Sequence, residues 1–257
     1  MRLQNKIAIV TGGGMGMGKA AALRLAQEGA SMVVADVNEQ AGNQAVSEIR
    51  AAGGAAFFVR TDVAKAAEVE AMVAASEREY GGLDIIFNNA AIQLIGVDSR
   101  VHEVDEAIWD RIQSVNLKGV WLCMKYAIIA MLKPRNGVSG GSIINNASPT
   151  GLVGCAPYDT AYSSAKGGVF ALTRAAAAAY ARDNIRINAI VPGPMDTPLI
   201  SKLTADPAAR AKLGELTLMG RLGRADEISG LVAFLASDDA SYCTGGTYMA
   251  DGGLTAV

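Results

Sequence analysis

Seven short apolar runs recur along this chain, separated by stretches with helical spacing or composition. The runs are Ile7–Val10, Ser31–Ala35, Ala55–Arg60, Leu83–Phe87, Ser142–Asn146, Arg186–Val191 and Thr247–Ala250. The helical stretches cover 16–29, 38–52, 65–80, 105–133, 158–182 and 225–236. The runs lack the apolar/polar alternation of strands that face water on one side. Strands apolar on both faces need cover on both faces, and a helix between successive strands makes them parallel neighbours. The expected fold is α/β: one Rossmann-type doubly wound parallel sheet of about seven strands, with helices on both faces.

At 257 residues the chain has room for one or two domains, taking roughly 150 residues for each. Nothing in it resembles a linker or a fixed-period repeat, so one domain over 1–257 is expected. Pro192, Pro194, Pro198 and Pro207 interrupt the alternation, which marks about 193–215 as a substrate lid. Hydrophobic residues make up 51% of the chain, yet its longest apolar stretch, Gly119–Leu132, is broken by Lys125 and falls short of the ~20 residues a span needs. The run Ile7–Val10 is too short for a signal peptide. A net charge of -2, from 23 basic and 25 acidic residues, opposes binding to nucleic acid or an anionic membrane. Cys123, Cys155 and Cys243 form no CxxC pair, and so make neither a disulfide framework nor a zinc site. A reducing, cytoplasmic setting is expected, with no metal.

The first run leads into Thr11-Gly12-Gly13-Gly14-Met15-Gly16-Met17-Gly18, and a helix follows. Glycines at such a turn let backbone N–H groups approach a pyrophosphate at the positive end of the helix. Gly12, Gly14, Met15, Gly16 and Met17 are the expected contacts. Gly13-x4-Gly18-Lys19 also matches a phosphate-binding P-loop up to its last position, where Ala20 replaces the hydroxyl that holds Mg²⁺. Phosphoryl transfer fails on that residue. Asp36 closes the second run, where a carboxylate accepts both ribose hydroxyls of NAD and repels the 2′-phosphate of NADP. Asp62 and Val63, after the third run, are candidates for the adenine edge.

Tyr162 and Lys166 stand four apart on one helical face. Half-ionising a phenol of pKa ≈ 10 at neutral pH takes about 4 kcal/mol. An ammonium about 4 Å away supplies about that much at an effective dielectric of 20. A well-placed lysine can therefore turn this tyrosine into a general base.

The set TGxxxGxG, Asn88-Asn89-Ala90, Asn116, Ser148, Tyr162-x3-Lys166 and Pro192-Gly193 resembles the single-domain short-chain dehydrogenase/reductase family over essentially the whole chain. The resemblance implies hydride transfer between NAD(H) and a secondary alcohol or ketone. Tyr162 would be the acid/base, Lys166 its modulator and a ribose ligand, Ser148 a partner of the substrate oxygen, and Asn116 the holder of a relay water. Asn89 and Ala90 would lie against the cofactor; Pro192, Gly193 and Thr197 would hold the nicotinamide. A homotetramer is also implied. The chain departs from the family pattern at Ala91, where glycine is usual, and at Pro149. Ser148 also stands one residue farther from Tyr162 than is common.

Gln93, Leu94, Pro149, Leu152, Cys155, Tyr158, Met195 and Leu199 are the expected pocket walls, and their mostly apolar character leans towards a hydrophobic or alicyclic alcohol. Gly137-Val-Ser139-Gly-Gly141 matches a nucleophile elbow, but the one histidine, His102, precedes it, so serine hydrolysis is rejected. His102 itself reads as solvated. Two alternatives stay open: an NADP-dependent carbonyl reductase, and a non-catalytic NAD sensor on the same fold.

Overall fold

A computed structural model describes residues 1–135, 137 and 139–256. Its centre is a seven-stranded, wholly parallel sheet. The first five strands are β1 (Ile7–Thr11), β2 (Ser31–Asp36), β3 (Ala56–Arg60), β4 (Ile85–Asn88) and β5 (Gly141–Asn146). Then come β6 (Ile185–Pro192), the short strands β7 (Met195–Asp196) and β8 (Gly223–Arg224), and β9 (Thr247–Ala250). The sheet order is β3-β2-β1-β4-β5-β6-β9, with β7 and β8 forming a separate ribbon. This is the doubly wound parallel sheet expected from the sequence.

The helices are α1 (Gly16–Gln27), α2 (Glu39–Ala51), α3 (Ala66–Tyr80), α4 (Glu106–Gln113), α5 (Gly119–Met131) and α6 (Thr160–Tyr180). They continue with α7 (Ser201–Thr204), α8 (Pro207–Glu215) and α9 (Ala225–Ala236). Successive strand residues point to opposite faces, and each face has its own core. Ile9, Val33, Ile143 and Ile187 pack with α3, α5 and α6. Ala8, Val10, Met32, Val34 and Ile144 pack with α1, α2 and α9. That double burial explains why the strands carry no polar face.

Strand order reverses between β1 and β4: β2 and β4 flank β1, and both pair with it in parallel at Ala8–Val10. The connections there leave to opposite sides, so a crevice opens beyond the carboxyl ends of these strands. A π turn, Ser114–Lys118, joins α4 to α5; such wide turns break helical regularity and gather at functional sites. The segment after β6 holds β7, α7 and α8, and Asp206 caps α8 through the Ala208 and Ala209 N–H groups.

Candidate active site

One cleft of about 640 Å³ runs across the carboxyl ends of the strands. At one end the glycine loop turns from β1 into α1. Gly12 has φ +62°, and a Cβ there would stand 2.9 Å from the Ala90 Cα, so only glycine fits the turn. Met15, at the head of α1, makes no side-chain cap, and the first turn holds no acid. The leading N–H groups and the positive helix end are thus left for an anion. Gly12, Met15, Gly16 and Met17 line the cleft, as do Asp62 and Val63.

Gly14 does not line it. Its N–H is turned to Asp36 Oδ2, at 2.9 Å, while Asn38 N–H donates to Oδ1, also at 2.9 Å. Gly14 therefore positions the acid where the sequence suggests direct contact. Asn38 accepts from Ala41 N–H and caps α2 itself, which leaves Asp36 free to face the cleft. Among the described lining residues the basic side chains are Arg111 and Lys166. The Asp62 carboxylate is partly engaged, accepting from Ala64 N–H at 3.1 Å.

A polar lattice ties the three central strands together. Thr11 Oγ1 accepts from Asn89 N–H at 3.0 Å and from Ala90 N–H at 3.1 Å. Asn89 Nδ2 donates to the carbonyls of Thr11 and Gly12, and Asn146 Nδ2 donates to Asn89 Oδ1. Asn89, Ala90 and Asn146 line the cleft. The sequence reading gives Thr11 and Asn146 no role. A signal was present in the pair Asn145-Asn146, which ends a strand where apolar residues belong.

Tyr162 and Lys166 share one buried face of α6. Lys166 Nζ donates to the Asn146 carbonyl at 2.6 Å and lies 5.6 Å from the centre of the Tyr162 ring. Burial lowers the lysine pKa from 10.5 to about 8. The phenol moves the opposite way from the sequence expectation. Burial raises it first, the Ser148 hydroxyl pulls it down, and the Asp159 carboxylate pushes it further up. Desolvation of the phenolate outweighs an ammonium whose shortest bond goes elsewhere.

Ser148 heads the short turn Pro149–Gly151. A Cβ on Gly151 would come 2.5 Å from Gly167 N, so this turn lies directly on α6 beside Lys166. The Ser148 Oγ accepts from Thr150 Oγ1 at 3.1 Å. Asn116 is fully buried in the π turn and does not line the cleft. Its Oδ1 accepts from Ile92 N–H at 2.9 Å and its Nδ2 donates to Ile92 O at 2.8 Å. The Asn116 side chain thereby clamps the loop after β4.

Pro192, Gly193, Thr197, Gln93, Pro149, Cys155, Met195 and Leu199 line the cleft. Leu94, Leu152 and Tyr158 do not. Leu94 packs against Ile112, Ala161 and Tyr162 behind the site, while Leu152 and Tyr158 are exposed. All three lie in irregular segments, where no period tells which way a side chain points.

Two acids escaped the sequence reading. Asp98, buried in the loop after β4, accepts from Ala161 N–H at 3.1 Å and Tyr162 N–H at 2.9 Å. It caps α6 from outside the helix. Asp159 lines the cleft and accepts from Gln93 Nε2 at 2.7 Å. His102 is exposed beside Glu103. The rejected elbow Gly137–Gly141 leads into β5, and its Val138 lies outside the described residues.

The paired Tyr162–Lys166 face, the Ser148 turn and the glycine loop on one parallel sheet define a nicotinamide-dependent oxidoreductase. The chain belongs to the short-chain dehydrogenase/reductase family. The family profile described as Enoyl-(Acyl carrier protein) reductase matches residues 12–255. The chain is 41% identical over 254 residues to a cyclohexanol dehydrogenase of Acinetobacter sp. (strain SE19), covering 99% of this chain and 96% of that one. It is 42% identical over 252 residues to a cis-4-hydroxycyclohexanecarboxylate dehydrogenase of Sinomonas cyclohexanicum, covering 98% and 97%. A crystal structure of a short-chain type dehydrogenase/reductase from Mycobacterium marinum superposes with a TM-score of 0.92 at 34% identity, covering 99% of this chain and 97% of that one. Among the described residues no helix is long and apolar enough to cross a membrane.

Proposed function

We propose that this protein is an NAD-dependent dehydrogenase of alicyclic secondary alcohols, with Tyr162 as general acid/base. The observation that carries this reading is one cleft joining the Asp36 carboxylate at one end to Tyr162, Lys166 and Ser148 at the other. The residues fit the cofactor. Both Asp36 oxygens are held by backbone N–H groups and keep lone pairs for ribose hydroxyls. The uncapped head of α1 suits a pyrophosphate. When bound, NAD would supply the hydride acceptor and a positive nicotinamide beside the phenol.

In alcohol oxidation Tyr162 takes the hydroxyl proton, and Ser148 holds the same oxygen as it becomes a carbonyl. In the reverse direction the neutral phenol donates that proton. Lys166, anchored on Asn146 O, gives the deprotonated phenol a nearby cation. Asn116 acts on the loop after β4 through Ile92. The alicyclic class is supported by the names of the two relatives and by apolar walls at Ile92, Pro149, Met195 and Leu199. The segment at about 193–215, which contributes Leu203 and Leu213 to the cleft, serves as the lid.

The same reading includes a cytoplasmic homotetramer. Exposed Trp121, Ile129 and Leu132 on or just after α5, and Met249 on the edge strand β9, support further association.

The test is oxidation of cyclohexanol followed by NADH absorbance, with NAD and NADP compared. Activity lost in Tyr162→Phe and tighter binding of NAD than NADP are expected. Full activity in Tyr162→Phe, or preference for NADP, would overturn the corresponding part.

A further inference from the structure

Asp159 precedes α6, at the position where an aspartate ordinarily turns back onto the first helical N–H groups. Its side chain makes no such bond. The N–H groups of Ala161 and Tyr162 are taken by Asp98, from the loop after β4. Asp159 is therefore released from capping, and it faces the cleft. Gln93 Nε2 holds its Oδ2 at 2.7 Å, while Oδ1 accepts no hydrogen bond from the described residues. It also has no ion-pair partner among them.

The placement is close to the chemistry. Residues three apart on a helix are neighbours, and the Asp159 charge acts on the Tyr162 phenol. Burial raises the Asp159 carboxyl above its ordinary value, as befits an acid against apolar neighbours. Pro149, Cys155 and Ala156 share this part of the cleft wall. An acceptor set in such a wall favours a ligand that brings a donor.

Resting on the dehydrogenase reading above, we propose that Asp159, held by Gln93, accepts a hydrogen bond from a second hydroxyl of the substrate. The favoured substrates are then alicyclic diols and polyols, ahead of ring monoalcohols and ring carboxylates. A carboxylate at this wall would meet an acid. Arg111, the cleft's other basic side chain besides Lys166, lines it together with Val115 and Val63.

The test measures kcat/KM for cyclohexanol, cis- and trans-cyclohexane-1,2-diol and 4-hydroxycyclohexanecarboxylate at saturating NAD. A hydrogen bond to a charged group predicts that one diol exceeds cyclohexanol by about tenfold or more in the wild type. Asp159→Ala collapses that ratio towards one and raises the hydroxycarboxylate relative to the diol. Asp159→Asn, which keeps an acceptor oxygen, retains part of the preference. The ratio within each variant cancels general effects on folding or on Tyr162. Equal use of diol and monoalcohol by the wild type, or an unchanged ratio in Asp159→Ala, would overturn the proposal and leave the dehydrogenase reading standing. Oxidation of none of the secondary alcohols would overturn that reading and the proposal with it.

Discussion

Lys166 ties the chemistry of this site to the stability of the fold. Its ammonium is buried, and its pKa falls from 10.5 in the unfolded reference to about 8 in the fold. Between those values the unfolded chain binds more protons than the native one, so this group's contribution to stability improves as pH rises through the window. At pH 7 the buried ammonium costs about 3 kcal/mol, and by pH 10 less than about 1 kcal/mol of that remains. Lys166→Met removes the titration. It also deprives Asn146 O of its donor, but equally at both pH values. The variant's Tm relative to wild type should therefore be more favourable at pH 7 than at pH 10 by about 2–3 kcal/mol, or about 5–10 °C for a chain of this size. Thermal unfolding followed by circular dichroism, without added nucleotide, reads the difference. An identical Tm offset at both pH values would refute the reasoning.

Asp98→Ala strands the N–H groups of Ser99, Ala161 and Tyr162, and should lower stability by about 2–4 kcal/mol, seen as a Tm drop and a fall in kcat. Asp98→Asn should lose less of both. Tyr162→Phe should reduce alcohol oxidation by roughly 10²–10⁴-fold in an NADH absorbance assay, while calorimetry still detects NAD binding. Asp36→Ala removes the acceptor shared by Gly14 and Asn38, and should weaken NAD binding about tenfold or more by titration calorimetry. Because burial and Asp159 hold the Tyr162 phenol up, alcohol oxidation should climb with pH as the phenol deprotonates. Asp159→Ala should move that limb to lower pH; a limb that stays in place or moves up would contradict the assignment.

The sheet was legible because its five inner strands are buried on both faces, so an unalternated apolar run marks each of them. Ser31–Ala35 and Ser142–Asn146 end within one residue of the observed β2 and β5. The helical stretch 105–133 contains α4, the π turn and α5, since apolar spacing continues through the wide turn. The short ribbon of β7 and β8 was not read, because two residues carry no period. Within the site, Tyr162 and Lys166 were legible from a local helical spacing. Asp98 and Thr11 act on groups more than 60 positions away, and no local pattern encodes such pairings. The phenol's pKa depends on how deeply α6 is buried and on Asp159, which the Tyr162–Lys166 spacing alone leaves out.

The cap of α6 has a consequence for how this scaffold can change. Asp98 secures the start of the helix through its N–H groups, so the anchor of the tyrosine and the lining of the pocket are set by different residues. Position 159 can be exchanged without loosening the helix that carries Tyr162. A library confined to residues 93 and 159 would vary what the pocket prefers, and through the charge at 159 the pH at which Tyr162 works, while the cap of its helix stays fixed. The start of the helix and the lining of the pocket can then be varied one at a time.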